Sequence, residues 1–364
     1  MSKITSIATG NPPYEHSQES LFAFADKVYC TDAVESRKLR FLYRHSGIDK
    51  RYSVLEDFNL PSNERRFFSE RDDLEPFPNL EKRMKLYNDT SVDLSVNTIN
   101  ECIKGKIDAS EITHLITVSC TGMSAPGLDL QVMEAMNLSP SLQRTSVNFM
   151  GCYAAIHGLK LAHAFCSAYP EARVVVVCTE LCTLHFQKEI TQNNMLSSLL
   201  FSDGCGAMLV QNTTEEKGLN LHHFFSQVSF KGKADMSWEL SGKGFLMTLT
   251  GYVPELIKED FEVLVGNALK PAGKTKEDIS HWCIHPGGKK ILQVIEESMQ
   301  LKNGELHYSH DVLKDFGNMS SASIVFVLQK ILNELRESVA SRAEVFGAAF
   351  GPGLTMETFL ATYD

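Results

Sequence analysis

Two continuous apolar runs, "HLITVSC" (114–120) and "ARVVVVCTE" (172–180), constrain this chain more than any other feature. Neither alternates apolar with polar residues, so both faces of each strand are covered, as in a parallel sheet with helices on either side. Between them Ala155, Leu159, Ala162 and Phe165 recur at helical spacing, which gives the order strand, helix, strand. The second half follows the same plan. There "HWCIHPGG" (281–288) is a strand entering a glycine loop, and "KKILQVIEESM" is a helix. "SASIVFVLQKILNELRESV" is a long amphipathic helix, and "AEVFGAAFGPGLTMETFLA" a strand, glycine turn and strand. The expected fold class is α/β, in two related halves spanning 1–217 and 218–364 and joined near "NTTEEKGLN" (212–220). The repeat is architectural, without residue-level periodicity. The charged segment "PSNERRFFSERDDLEPFPNLEKRMKLY" (61–87) predicts a solvated loop followed by helix.

A length of 364 residues with 43% hydrophobic and 22% charged content describes a soluble enzyme-sized protein with a sizeable core. The formal net charge of −10 argues against a nucleic-acid binder, but leaves room for a local basic patch facing a phosphorylated ligand. None of the nine cysteines forms a CxxC pair, so neither a zinc site nor a redox motif is indicated. "MSKITSIATGNPPYEHS" lacks an apolar signal core and no run reaches membrane-spanning length. The expectation is a cytoplasmic protein with reduced thiols and no membrane partner.

The stretch "VNFMGCYAAIHGLKLA" (147–162) places a lone cysteine where an extended run turns helical. Val147 and Phe149 end the strand, Gly151 makes the turn, and the helix runs on from Tyr153. Cys152 thus stands beside free helix N–H groups, where the positive end of the helix dipole favours a thiolate. On position alone it can equally be a small buried hydrophobe, as most free cysteines are. A cysteine nucleophile needs a base and donors for a developing oxyanion. His285 ends a strand just before Pro286-Gly287-Gly288, and Asn318 follows Gly317 in "DFGNMSSAS", ahead of the long helix. Open α/β sheets gather their sites at such strand ends. Taken singly, each has a plain alternative, a turn-capping histidine and a Gly-Asn turn.

Together these residues fall into a pattern. "GCYAAIHGLKLA", "LLFSDGCGAMLV", "HPGGKKIL", "FGNMSSAS" and "GAAFGPGLTMETFL" occur in the order and at about the spacing of the type III polyketide synthases. The chain resembles that family, the chalcone-synthase-like branch of the thiolase-fold condensing enzymes, from residue 114 to the C-terminus; "DKRY" carries a weaker match back to about residue 36. The resemblance implies a thiolase-like fold of two α-β-α-β-α layered halves, assembled as a homodimer. It implies an acyltransferase that loads an acyl-CoA starter, extends it with malonyl-CoA and cyclises the product. By the same resemblance Cys152 is the nucleophile, His285 its thiolate partner and an oxyanion donor, and Asn318 the second donor. Phe201, in "LLFSDG", matches the aromatic between CoA tunnel and reaction chamber, although alone it reads as a core aromatic. Thr121, Ser320 and the turn Phe350-Gly351-Pro352 lie in matching segments and are expected near substrate. No cofactor or metal is implied, since the CoA thioesters are substrates.

Several positions depart from the family pattern. Met247, in "GFLMTLTGYVP", replaces a chamber aromatic with a flexible thioether. Cys182 and His185, in "ELCTLHF", stand where plant members tend to carry threonines. Cys120, in "SCTGMSAPG", matches a second cysteine of bacterial members such as tetrahydroxynaphthalene synthases. For Cys120 and Cys182 the simpler alternative is a small cavity-lining residue without covalent role. Ala125 occupies the place of a methionine that often crosses the dimer contact. For the CoA phosphates, "ESRKLRFLYRHSGIDKRY" offers Lys38, Arg44 and Arg51, with Phe41 and His45 at positions that are basic in plant members. Initiating β-ketoacyl-carrier-protein synthases and hydroxymethylglutaryl-CoA synthases share the Cys and His, but "HPGG", "GNMSSAS" and "FGPGLT" favour the polyketide reading. A non-catalytic thiolase-fold partner would have lost the nucleophile, which this chain keeps.

Overall fold

The computed structural model describes residues 2–338 and 342–364. Val339, the last residue of the expected long helix, lies outside the described residues, as does Met1. The strands in chain order are β1 (Ser2–Gly10), β2 (Tyr14–Ser17), β3 (Lys50–Ser53), β4 (His114–Ser119), β5 (Gln143–Asn148), β6 (Arg173–Leu181) and β7 (Asp203–Asn212). They continue with β8 (Leu219–Val228), β9 (Met236–Ser241), β10 (Gly244–Leu249), β11 (His281–Ile284), β12 (Ala343–Gly351) and β13 (Thr355–Tyr363). Nine of them form one sheet in the order β11-β12-β13-β8-β1-β7-β6-β4-β5.

The two halves repeat the same pairing pattern. In the first, β1–β7 and β7–β6 are antiparallel and β6–β4 parallel. In the second, β8–β13 and β13–β12 are antiparallel and β12–β11 parallel. The first half alone adds an outer strand, β5, parallel to β4. The halves meet where β1 and β8 pair at Lys3↔Asn220 and Ile4↔Leu219.

Alternation along β6 explains why its sequence is apolar throughout. Val174, Val176 and Cys178 face a central core that holds the helices Ala154–Ala168 and Ser323–Glu337. Val175 and Val177 face the opposite side, under the helix Leu80–Ile103. The second half buries Phe346, Ala348, Met356 and Leu360 beneath the helices Val253–Leu269 and Lys289–Met299. Two central helices between sheet layers, with outer helices on both sides, make the α-β-α-β-α stack.

The segment 61–87 is not simply a solvated face. Phe67, Phe68 and Leu74 are buried with the helices Gln18–Tyr29 and Ala33–His45. The Asp57 carboxylate accepts the backbone N–H groups of Arg66, Phe67 and Phe68, at 3.1, 2.8 and 2.7 Å. Arg83 is wholly buried, donating from Nε to the Pro78 carbonyl at 3.1 Å and from Nη1 to the Leu184 carbonyl. The charged composition hides aromatic residues whose partners are distant in sequence.

Candidate active site

The site collects at the C-terminal ends of parallel strands, the edge where open α/β sheets bind ligands. Cys120 follows β4, Cys152 lies beyond β5, Cys182 follows β6, His285 follows β11, and Phe350 and Pro352 flank the end of β12. After Asn148 the chain turns through Phe149 at φ 60° and Gly151 at φ 95°. The helix starts at Ala154, so Cys152 sits in the turn two residues before it. A side chain on Gly151 would place its Cβ 2.2 Å from Pro352 Cδ, which requires glycine there. His285 is set by its backbone N–H, which extends the β11–β12 pairing to the Ala348 carbonyl at 2.9 Å.

One cavity joins these positions, enclosing about 1300 Å³ of empty space including its open mouth. Its wall includes Cys152, His285 and Asn318, together with Phe201, Met247 and Ser320. Cys120, Thr121, Cys182, His185, Phe350 and Pro352 line it too. Gly351 does not. It stands behind the wall, where a Cβ would come within 2.5 Å of the Tyr153 ring. Its missing Cβ makes room for the Tyr153 ring and for the Cys152 backbone N–H.

Both ring nitrogens of His285 are buried without a hydrogen-bond partner among the described residues. Buried polar atoms are rarely left so, and a pair aimed into a cavity marks a ligand position. Asn318 donates from Nδ2 to the Gly287 carbonyl at 3.2 Å and accepts the Ser320 N–H on Oδ1 at 2.9 Å. These bonds aim the amide at the His285 loop. Burial pushes the Cys152 thiol up to about 12 and the His285 imidazole down to about 3. Desolvation therefore disfavours either ion alone, against the thiolate expected from the helix dipole. Two ions of opposite charge on one cavity wall would offset part of that cost for each other, which neither does alone.

His185 is a neutral strut. Nε2–H donates to the Thr121 carbonyl at 2.8 Å, and Nδ1 accepts the Phe245 N–H at 3.0 Å. The ring stacks on Phe245 with centroids 4.2 Å apart and planes 8° from parallel. Burial pushes its imidazole down to about 3, as it does that of His285, but here both ring nitrogens are already taken, so neither is free to exchange a proton. Cys120 Sγ accepts the Gly151 N–H at 3.0 Å, and burial raises both the Cys120 and Cys182 thiols. The ionisable group acting on both is the Glu180 carboxylate, which raises them further.

The three basic residues expected at the CoA entrance separate. Lys38 and Arg44 are exposed on the helix Ala33–His45, whose Tyr43 lines the cavity, but neither is part of the wall. Arg51 is buried on the cavity wall, with Nε committed to Gln18 and Nη1 to the Phe201 carbonyl, while Nη2 has no hydrogen-bond partner among the described residues. The structure thus separates Arg51, inside at the cavity wall, from Lys38 and Arg44 on the exposed helix, so the three form no single surface patch.

Two groups escaped the sequence analysis. Glu180 is fully buried at the end of β6, receiving Cys120 N–H and Thr121 Oγ1–H at 2.9 Å each and Ser321 Oγ–H at 2.5 Å. Burial raises its carboxyl to about 7, with the three donors acting the other way. An acid closing the apolar run "VVVVCTE" was the available signal. Trp238, from the β9–β10 hairpin, donates Nε1–H to the Cys120 carbonyl at 2.7 Å, and nothing in its local sequence announces that contact.

A five-layered α/β stack with a cysteine, a histidine and an asparagine on one cavity wall defines a thiolase-type condensing acyltransferase. Residues 2–213 match the family model for chalcone and stilbene synthases, N-terminal domain, and residues 220–362 match the C-terminal domain. The chain belongs to the chalcone and stilbene synthase family, the type III polyketide synthases. It is 30% identical over 98% of its length to the α-pyrone synthesis polyketide synthase-like Pks18 of Mycobacterium tuberculosis, covering 90% of that protein. It is 29% identical over 98% of its length to type III polyketide synthase C of Arabidopsis thaliana, covering 94% of it. The crystal structure of PKS-I from the brown alga Ectocarpus siliculosus superposes with a TM-score of 0.92 at 25% identity, covering all of this chain and 98% of that one.

Proposed function

We propose that this polyketide synthase condenses malonyl-CoA decarboxylatively onto an acyl-CoA starter held as a thioester on Cys152, then closes the chain to an aromatic or pyrone product. The carrying observation is the unpartnered imidazole of His285 on the cavity wall that also bears Cys152 and Asn318. In loading, Sγ attacks the starter carbonyl, its proton passes to His285, and the CoA thiol leaves with a proton. Loss of carbon dioxide from the malonyl thioester leaves an enolate, whose oxygen accepts from His285 and from Asn318 Nδ2. Its carbon attacks the Cys152 thioester and releases the thiolate. Phe201 places an apolar ring beside the departing carboxylate, disfavouring the charge and promoting neutral carbon dioxide.

The halves 1–217 and 218–364 supply Cys152 on one side and His285 with Asn318 on the other. Lys38 and Arg44 remain the candidates for the CoA phosphates. A homodimer is supported by β5, an edge strand with four of six residues exposed, and by Met123, half-exposed in the loop after β4. Light scattering should give twice the 40.6 kDa chain mass; a monomer at micromolar concentration overturns this. Nine unpaired cysteines favour a reducing, cytoplasmic location. Among the described residues no helix is long and apolar enough to cross a membrane.

Product choice follows from the wall. Leu21, Phe24, Phe58 and Phe186 make one side apolar, and Met247 replaces a rigid ring with three rotatable bonds. Aliphatic starters of varied length should therefore be used. Malonyl-CoA with a panel from acetyl- to long-chain acyl-CoA, read by mass analysis, tests the reading. Turnover only with carrier-bound malonyl would favour an initiating β-ketoacyl synthase instead. In the same panel Met247→Phe should lose bulky starters first while keeping acetyl-primed products. A product profile identical to wild type would show that Met247 does not shape the chamber.

A further inference from the structure

Arg51, on the cavity wall, lies against two elements of the site. Resting on the function proposed above, we propose that Arg51, oriented by Gln18, is a positioning residue that fastens the Phe201 segment and the Gly317-Asn318 loop to the β2–β3 hairpin. Through Asn318 it sets the rate of malonyl decarboxylation.

Three successive carbonyls are occupied from three sides. Gln18 Nε2 donates to the Leu199 carbonyl at 2.9 Å, the Asn318 backbone N–H to the Leu200 carbonyl at 2.9 Å, and Arg51 Nη1 to the Phe201 carbonyl at 2.6 Å. The Ser202 N–H returns to the Asn318 carbonyl at 2.9 Å. Arg51 Nε donates to Gln18 Oε1 at 3.0 Å, so one side chain orients the other. The hairpin supplies the register, with Ser17 opposite Lys50 and the Gln18 N–H on the Asp49 carbonyl at 2.8 Å.

The stem of Arg51 is as constrained as its head. Gly317 takes φ 69°, and a Cβ there would lie 2.8 Å from both Cγ and Cδ of Arg51 and 3.0 Å from the Leu200 carbonyl oxygen. The arginine chain therefore fills the space against which the Asn318 loop turns. Burying a guanidinium whose nearest acceptors are neutral is costly, and an apolar side chain of similar volume would avoid that cost. A planar fork gives directed donors that an apolar chain cannot. Because oxyanion donors act through geometry, a small displacement of Asn318 is enough to slow the chemistry.

The test is a double-mutant cycle on malonyl-CoA decarboxylation, using Arg51→Lys, Asn318→Ala and both together. Lysine keeps the charge but loses the fork. Arg51→Lys should lower kcat about 10- to 100-fold with KM changed less than about threefold, while acyl loading of Cys152 persists by mass spectrometry. In the Asn318→Ala background the same change should cost no more than about threefold, because the group it positions is gone. Multiplicative losses, or a salt-sensitive rise in KM at unchanged kcat, would overturn the proposal; the latter would return Arg51 to the CoA phosphates. If Arg51→Lys does not yield folded protein, Gln18→Ala goes through the same cycle and is judged by the same criterion. Wild-type decarboxylation in this assay checks the proposed function separately from the clamp.

Discussion

Cys152→Ala is expected to abolish both starter loading and product formation, whereas Cys120→Ser and Cys182→Ser retain measurable turnover. All three thiols line one cavity, Cys152 half-buried and the other two buried, so a place on the wall does not by itself separate them. Their partners do. Cys152 stands just ahead of the helix Ala154–Ala168 and shares the wall with an imidazole whose two nitrogens are unoccupied. Cys120 already accepts the Gly151 N–H, and burial raises its thiol with the Glu180 carboxylate adding to the rise. Cys182 is raised by the same two causes, and so is Cys152, so the place at the helix start and the imidazole on the same wall carry the distinction. Removing the nucleophile leaves no covalent carrier for the growing chain, so the loss should exceed the detection range rather than be a partial slowing. Mass spectrometry after incubation with labelled acyl-CoA reads this directly. Label on Cys120 or Cys182 with Cys152 unlabelled would sink the assignment.

His285→Ala is expected to shift alkylation of Cys152 by iodoacetamide to higher pH, and Asn318→Ala to leave it where it was. The sign follows from the two opposing influences on the thiol. Burial, with the Glu180 carboxylate adding and a Ser320 hydrogen bond opposing, carries it to about 12, so without a cation the thiolate fraction stays small until strongly alkaline solution. On the proposed pairing the proton moves to His285 in the wild type, and the resulting imidazolium stabilises the thiolate. Alkylation should then proceed below the ordinary thiol range of about 8.5. Deleting the imidazole removes this route and leaves only the desolvation. Asn318 carries no charge and gives its Nδ2 to the Gly287 carbonyl, so its loss should act on the enolate step, by about 100- to 1000-fold. An alkylation profile unchanged in the His285 variant would rule out the pairing.

Much of the fold and the chemistry was legible in the sequence because it is local. The unbroken apolar run of β6 needs covering on both faces, and the structure alternates Val174 and Val175 between two cores. The Gly151-Cys152 elbow needs one positive-φ glycine and a following helix, and both are written within a few residues. Strand ends carrying Cys, His and Asn could be named before their convergence was known. What chain-distant pairing controls was not legible. Arg51 looked like part of a surface patch, yet its guanidinium bonds the Phe201 carbonyl across 150 residues. Trp238 reaches the Cys120 carbonyl across 118 residues, and Arg83 supports the turn that carries Cys182 and His185 across 101. Gly351 matched a substrate-side motif, but its missing Cβ serves the Tyr153 ring. A residue's type states which bonds it can make; only the packed sheet decides which partner is within 3 Å, because hydrogen bonding and desolvation depend on contact in space and not on separation along the chain.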